Sequence, residues 1–344
     1  MKKKSNIIQI AIFFIIIFAV IVYYNMNKPR LLILNSYDEN YAWTRDVNVG
    51  VKRILHDKKN FYVRWYYMDT KRHPSAADKI KAGIAARHMI NQWQPDVILA
   101  IDDDAQEYAA KHYVNHNKIK IVFAGINGEM EPYGYQGAGN ITGILERKKL
   151  HALKEALLYA FHNKKMTGNI RLLYMGDNSK SVQSDEIFVK SFNWSPAKLV
   201  DSKLVDTFDE WKDAVRLSDR IADVIIVENY RKLRRNKNSE ELVLPKEVIK
   251  WTEENSSLPI IGTNGFFVED GGMLSVATSP YEQGEVAAAM AVEILENKKE
   301  PDRIPITSTK QVVIFMRESQ MKSHNFVLPE IYEDFARATN NFYK

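Results

Sequence analysis

Short apolar runs alternate with amphipathic stretches along most of this chain, and that alternation limits the fold more than any other feature. Leu31–Asn35, Phe61–Tyr67, Val97–Ile101 and Lys120–Ala124 read as strands. Between them, helices are predicted near Thr44–Asp57, Ser75–Trp93 and Asp103–Asn115, with Ser75 and Asp103 placed as N-caps. The run Val-Ile-Leu-Ala-Ile at 97–101 is apolar throughout, as a parallel strand covered on both faces must be. A strand–helix–strand succession of this kind builds a parallel sheet with crossover helices.

The pattern starts again after Asn140. A helix over Lys148–His162 sets Leu150, Leu153, Leu157 and Phe161 on one face. Strands are predicted at Ile170–Tyr174, Leu199–Leu204, Val224–Val227 and Pro259–Gly262, with helices at Thr207–Asp219 and Pro245–Asn255. In the helix Tyr281–Asn297, Ala287, Met290, Ala291 and Ile294 recur at core spacing. The expected fold class is therefore α/β, with two doubly wound parallel-sheet lobes of similar length. Leu328–Tyr343 reads as a short terminal helix packed on the second lobe.

Ahead of both lobes, residues 7–24 are apolar except for Gln9, and Lys2, Lys3 and Lys4 precede them. A run of about 17–25 apolar residues can span a bilayer, and the lysines would hold the N-terminus in the cytoplasm. The run exceeds the roughly 7–15 residues of a signal-peptide core, and Asn25-Met26-Asn27-Lys28-Pro29 offers no small-residue cleavage site. It reads as an uncleaved signal anchor, residues 1–29, holding the rest on the extracytoplasmic face of a bacterial cytoplasmic membrane. Cleavage would instead yield a secreted soluble form.

Charge and motifs exclude several classes. The 48 basic residues barely outnumber the 43 acidic ones, and three of the excess are the N-terminal lysines. The body is near neutral, so no nucleic-acid partner is implied. With no cysteine, a disulfide scaffold, a thiolate metal site, a catalytic thiol and a lipidated cysteine are all ruled out. None of the 8 histidines forms a metal-ligand motif, and Walker A, Gly-x-Gly-x-x-Gly and Gly-x-Ser-x-Gly are missing. No metal or cofactor is expected.

In open parallel sheets, ligands bind beyond the carboxyl ends of the strands. That rule selects Asn35–Trp43, Asp102–Asp104 and Gly125–Gly128 in the first half. In the second it selects Gly176–Ser179, Glu228–Tyr230 and Thr263–Gly265. Asp103 and Asp104 suit a helix N-terminus equally well, whereas Asp102 is preferred as a ligand group. Tyr37, Tyr41 and Trp43 serve as loop anchors or as an aromatic wall. The basic run 231–237 reads as a solvated loop.

These loops carry a family resemblance. Leu-Ile-Leu-Asn-Ser-Tyr-Asp-Glu-Asn-Tyr-Ala-Trp-Thr at 32–44, Tyr67–Arg72, Asp96–Asp103, Val122–Asn127, Asn140–Gly143 and Tyr281–Glu285 follow the order found in extracytoplasmic solute-binding proteins. The chain resembles the ABC-transporter substrate-binding family, whose fold also forms sensor domains, over about residues 31–316. It departs from the family pattern between Asp177 and Pro259. The resemblance implies a type I periplasmic-binding-protein fold, with residues 31–142 plus 276–308 as lobe one and 143–275 plus 309–344 as lobe two. Asn140–Gly143 would be the first crossing and Ser275–Thr278 the second. A small ligand would bind between the lobes, contacted by Ser36, Tyr37, Trp43, Asp102, Asp103 and Asn127 from the first and Asp177, Asn178, Glu228 and Asn264 from the second. An acidic lining suits an amino-acid-like or polyol-like molecule, to be passed to an ABC permease or a membrane sensor protein. The rival reading is a hydrolase of small glycosides using Asp102 and Glu228 as paired carboxylates. A repressor is excluded, because the place of its DNA-reading helices is taken by the hydrophobic run.

Overall fold

The computed structural model describes residues 2–162 and 170–344; the side chains of residues 2–9, 24 and 26 lie outside the description. The chain opens with a helix, Lys2–Met26, whose described side chains from Ile10 to Tyr23 are all exposed. Among the described residues no helix is long and apolar enough to cross a membrane. The expected span takes in Ile7, Ile8, Gln9 and Tyr24, whose side chains fall outside those residues.

Strands β1 (Arg30–Asn35), β2 (Tyr62–Tyr67), β3 (Val97–Ile101), β4 (Lys120–Ile126) and β5 (Ile141–Leu145) form the first sheet in the order 2-1-3-4-5. The second sheet repeats this order with β6 (Arg171–Asp177), β7 (Lys198–Val205), β8 (Val224–Val227), β9 (Ile260–Gly262) and β10 (Leu274–Thr278). β11 (Thr307–Ser308) returns to the first sheet beside β5, and β12 (Val312–Arg317) and β13 (Phe342–Tyr343) extend the second beyond β10. The first sheet is wholly parallel. In the second, β12 runs antiparallel to β10.

Each sheet is covered on both faces. Leu31, Ile33, Leu99 and Val122 pack to one side of the first sheet, and Leu32, Leu34, Ile98 and Phe123 to the other. In the second, Leu172, Tyr174 and Ile226 face one core, and Leu173, Met175 and Ile225 the opposite one. This explains why central strands such as Val97–Ile101 and Val224–Val227 are apolar throughout, whereas the edge strands β2 and β7 carry Arg64, Asp201 and Lys203. Three helices begin at side-chain caps: Ser75 on Asp78 N–H, Ser279 on Glu282 N–H, and a full capping box of Thr207 with Glu210; the N-cap expected at Asp103 falls instead on Asp102, which makes no cap bond. Such caps satisfy backbone donors that a helix start leaves free.

The helix Pro280–Glu296 follows β10 yet packs on the first lobe, against the helix Ala42–Leu55 and strands β3 to β5. The helices meet so closely that a Cβ on Gly284 would lie 2.0 Å from the Val47 carbonyl oxygen. The chain therefore passes between sheets three times, after Leu145, after Thr278 and after Ser308. Asn140 precedes β5 and Ile141–Gly143 lies within it, while Ser275–Thr278 lies within β10. The expected helix over Asp103–Asn115 divides into Asp103–Tyr108 and a tighter turn at Ala110–Tyr113.

Candidate functional site

In a sheet of order 2-1-3-4-5, neighbouring loops leave in opposite directions at the first and third strands, which opens a crevice at their carboxyl ends. Both lobes have that switch point, and residues beyond these strand ends line a shared cavity. Tyr37, Tyr41, Trp43, Lys71, Asp102 and Asn127 come from the first lobe. Ser181, Asp185, Glu228, Asn229, Asn264 and Phe266 come from the second, and Glu146 and Lys148 from the first crossing. The enclosed space is about 40 Å³. An apolar cavity of about 150 Å³ holds benzene. A ligand of amino-acid size is larger than this space, so the lobes must part to admit it and close again less tightly around it.

Lys148 is the centre of the polar cluster. Its Nζ lies 2.8 Å from Glu146 Oε1, 2.9 Å from Glu228 Oε1 and 3.5 Å from Asp185 Oδ2, and donates to Asn264 Oδ1 at 3.1 Å. Burial lowers the Lys148 pKa, but Asp185, Glu146 and Glu228 outweigh it and hold it well above the usual lysine value. Glu228 is fully engaged: Thr263 Oγ1 donates to one oxygen, and Asn264 Nδ2 donates to the other at 2.7 Å. Asn127 Nδ2 reaches across the lobes to Asp185 Oδ2 at 3.2 Å.

Asp102 closes the first-lobe side. It sits at φ 67° and ψ 163°, an extended positive-φ conformation that is otherwise essentially confined to glycine. The following strand end must give way to it: Gly125 has φ 70°, and a Cβ there would lie 2.6 Å from Asp102 Oδ1. That oxygen accepts the Trp43 indole N–H at 2.9 Å. The other, Oδ2, is buried without a hydrogen-bond partner. Burial, with Glu146 and Asp103 adding repulsion, pushes the Asp102 carboxyl well above the carboxylate range, against the pull of the indole. Burial likewise raises Asp185, although Lys148 opposes it.

An aromatic seam runs beside these charges. Lys71 Nζ lies 4.9 Å from the Tyr37 ring centre and 5.3 Å from that of Tyr41. Burial lowers the Lys71 pKa in spite of Asp177 and Asp104. From the second lobe, the Arg231 guanidinium covers Phe266 at 4.4 Å and Tyr41 at 5.4 Å, while Asp270 Oδ2 anchors it at 2.6 Å.

Of the sequence-selected residues, the structure brings Tyr37, Trp43, Asp102, Asn127, Glu228 and Asn264 into this cavity. Ser36 does not line it. Its hydroxyl donates to Ile101 O and accepts Ala105 N–H, both at 2.7 Å, tying β1 to the helix after β3. Asp103 instead accepts the Tyr133 hydroxyl at 2.7 Å. Asp177 accepts the backbone N–H groups of Ser179 and Lys232, both at 3.1 Å, and so braces two second-lobe loops. Asn178 is exposed and bonded to Gln183. The run 231–237 departs from a solvated loop: Arg231 joins the seam, Leu233 is fully buried, and Arg235 forms a two-bonded pair with Glu247.

Glu146, Lys148 and Asp185 were not selected. Glu146 and Lys148 follow β5, a strand that the alternation did not disclose, so the strand-end rule could not reach them. Asp185 lies on the helix Lys180–Ser191, where only Val182 and Val189 supply buried apolar side chains, too few to show a period.

Fold and cleft together define a two-lobed protein with a polar site between doubly wound lobes. The model of the family described as ABC transporter substrate binding protein matches residues 49–337, and the chain belongs to that family. No curated protein matches the chain. Among solved structures, a conserved domain protein from Vibrio cholerae is similar, with TM-score 0.67 and 16% identity, covering 92% of this chain and 100% of its own. A ligand-free, open substrate binding protein with adhesive properties from Clostridium difficile is similar at TM-score 0.63 and 16% identity, covering 92% and 98%. An ABC domain from Streptococcus pneumonia, solved with L-Trp, is similar at 0.62 and 14%, covering 89% and 98%. These likenesses establish the type I periplasmic-binding fold.

Proposed function

We propose that the protein is a membrane-anchored, extracytoplasmic substrate-binding protein that closes on a small amine-bearing ligand and presents it to an ABC permease. The observation that carries this reading is the cavity itself, lined from both lobes and from the first crossing. A ligand held there touches both lobes only when they are closed, and that differential contact shifts the population toward the closed state. Tyr37, Trp43, Asp102, Asn127, Glu228 and Asn264 are the proposed contacts. Ser36, Asp103, Asp177 and Asn178 act by positioning loops.

The acidic lining favours a ligand that carries an amino group over a polyol, and the similar streptococcal domain was solved with an amino acid. The exposed apolar side chains from Ile10 to Tyr23 support anchoring, since a water-facing stripe of this kind needs a cover. Residues 31–145 with the returning helix and β11 form the first lobe in this reading, and the intervening stretch with the C-terminal segment forms the second. A separate membrane sensor would receive the closed form as readily as a permease. The glycosidase alternative gains nothing from the site, because Lys148, Thr263 and Asn264 occupy both oxygens of Glu228.

Thermal-shift screening of the full chain in detergent against amino acids, amines, sugars and nucleosides tests the proposal. A true ligand at 100 times its Kd adds about 2.7 kcal/mol of stability. Scattering profiles unchanged by every stabilising compound would remove lobe closure from the account.

A further inference from the structure

The charges around the cleft pair off, whereas those inside it do not. Lys79 lies 2.8 Å from Asp104 and Arg231 2.6 Å from Asp270, while burial, with Lys71 and Lys79 beside it, pushes Lys232 down to about 7 against the pull of Asp104 and Asp177. Arg147 is held by the carbonyls of Ile126, Asn127, Glu146 and Gly128, with Glu129 at 4.0 Å. Lining the cavity, however, the carboxyl groups of Asp102, Glu146, Asp185 and Glu228 face the ammonium groups of Lys71 and Lys148 alone. Asp103, just outside, adds to the deficit.

A buried carboxylate without a cation is strongly disfavoured, so the deficit has to be met by protons or by a ligand. Asp102 shows where. It is 3% exposed, it lines the cavity, and Oδ2 is without a partner. Beside it, the Trp43 indole lines the same cavity and donates its N–H to the other oxygen, Oδ1.

We infer that the cleft selects a net cation, an organic ligand with at least one more ammonium than carboxylate group, one ammonium donating to Asp102 Oδ2. This rests on the cleft being the ligand site. A zwitterion adds as much negative charge as positive, and a polyol adds none, so neither meets the deficit. Among the described residues no group of His, Asp and Glu is arranged to hold a metal ion.

Binding then displaces protons. The groups facing Asp102 are Asp103 on its own helix, Glu146 from the first crossing, Lys71, Tyr37, Tyr41 and the Trp43 indole. Asp102, buried and lifted well above the carboxylate range, holds a proton that an incoming ammonium replaces.

The test is isothermal titration of the full chain in detergent with 1,4-diaminobutane, L-lysine, L-leucine and ribitol, in two buffers of different ionisation enthalpy. The expected result is binding of diaminobutane or L-lysine at least tenfold tighter than leucine or ribitol, with protons released, and at least tenfold weakening by Asp102→Asn. Proton release is measured on the native chain, so it stands even if that variant does not fold. Leucine or ribitol binding as tightly as the cations, or cation binding without proton release, overturns the inference and leaves the binding-protein reading intact. No response to any probe, with an unchanged scattering profile, overturns both.

Discussion

Replacing Lys148 by methionine keeps the methylene chain but leaves Glu146, Asp185 and Glu228 facing one another in a buried site. Removing one partner of a buried ionic cluster is far more damaging than removing the whole cluster. Lys148→Met should therefore lose roughly 3–5 kcal/mol in urea unfolding at pH 7; a loss below about 1 kcal/mol would show that the carboxyls simply take up protons. Asp103 gives a separate, pH-dependent test. Burial lifts its carboxyl to about 7, despite the Tyr133 bond, with Glu146 adding repulsion. An acid raised in the folded state binds more protons folded than unfolded, so stability is fullest below the unfolded value and falls as pH rises through 7. Its solvent-facing edge moderates the effect to roughly 1–3 kcal/mol. Asp103→Asn should flatten that fall, making the variant the more stable form at pH 8, as denaturation at pH 5 and pH 8 will show.

The three passes between lobes are gathered by one buried side chain on the helix Pro280–Glu296. Gln283 accepts Gly125 N–H at 2.8 Å and donates to Leu145 O at 3.1 Å and to Thr309 Oγ1 at 2.7 Å. It thereby ties the ends of β4 and β5 to the third crossing. Glu282, beside it, accepts the N–H groups of Lys310 and Gln311. Gln283→Leu keeps the volume but strands these donors and acceptors, each a loss of about 1–3 kcal/mol when buried. Faster hydrogen exchange at Gly125 and at residues 309–311 is the expected readout, with the sheet interiors unchanged. This helix was legible in the sequence through its core spacing; its return to the first lobe was not. Nothing in a local pattern says which sheet an amphipathic helix will cover.

Closure of the whole molecule rests on a few cross-lobe contacts: Asn127 with Asp185, Arg45 with Glu269 at 3.4 Å, and Tyr41 against Arg231 and Phe266. The Arg45 pair is half exposed and contributes little. The Asn127 bond is buried and directed at a carboxylate, and such bonds contribute about 1.5–3 kcal/mol. Asn127→Ala should shift the unliganded protein toward the open form, read as a larger radius of gyration in solution scattering. An unchanged radius would place the latch in the aromatic seam.

The sequence by itself determined the α/β class and the two lobes, because buried parallel strands must be apolar throughout and crossover helices must be amphipathic. It also located the loops carrying Tyr37, Trp43, Asp102, Asn127, Glu228 and Asn264, since strand ends are readable wherever strands are. Tertiary structure alone decided the rest. β5, β10 and β12 are short apolar runs that gain strand character only from their neighbours in the sheets. Glu146, Lys148 and Asp185 lie far from Asp102 and from Glu228 along the chain, and their meeting depends on how the two lobes are set against each other. Charge balance in a cavity is a property of that meeting, so the unpartnered carboxyl oxygen of Asp102 could not be read from any one segment.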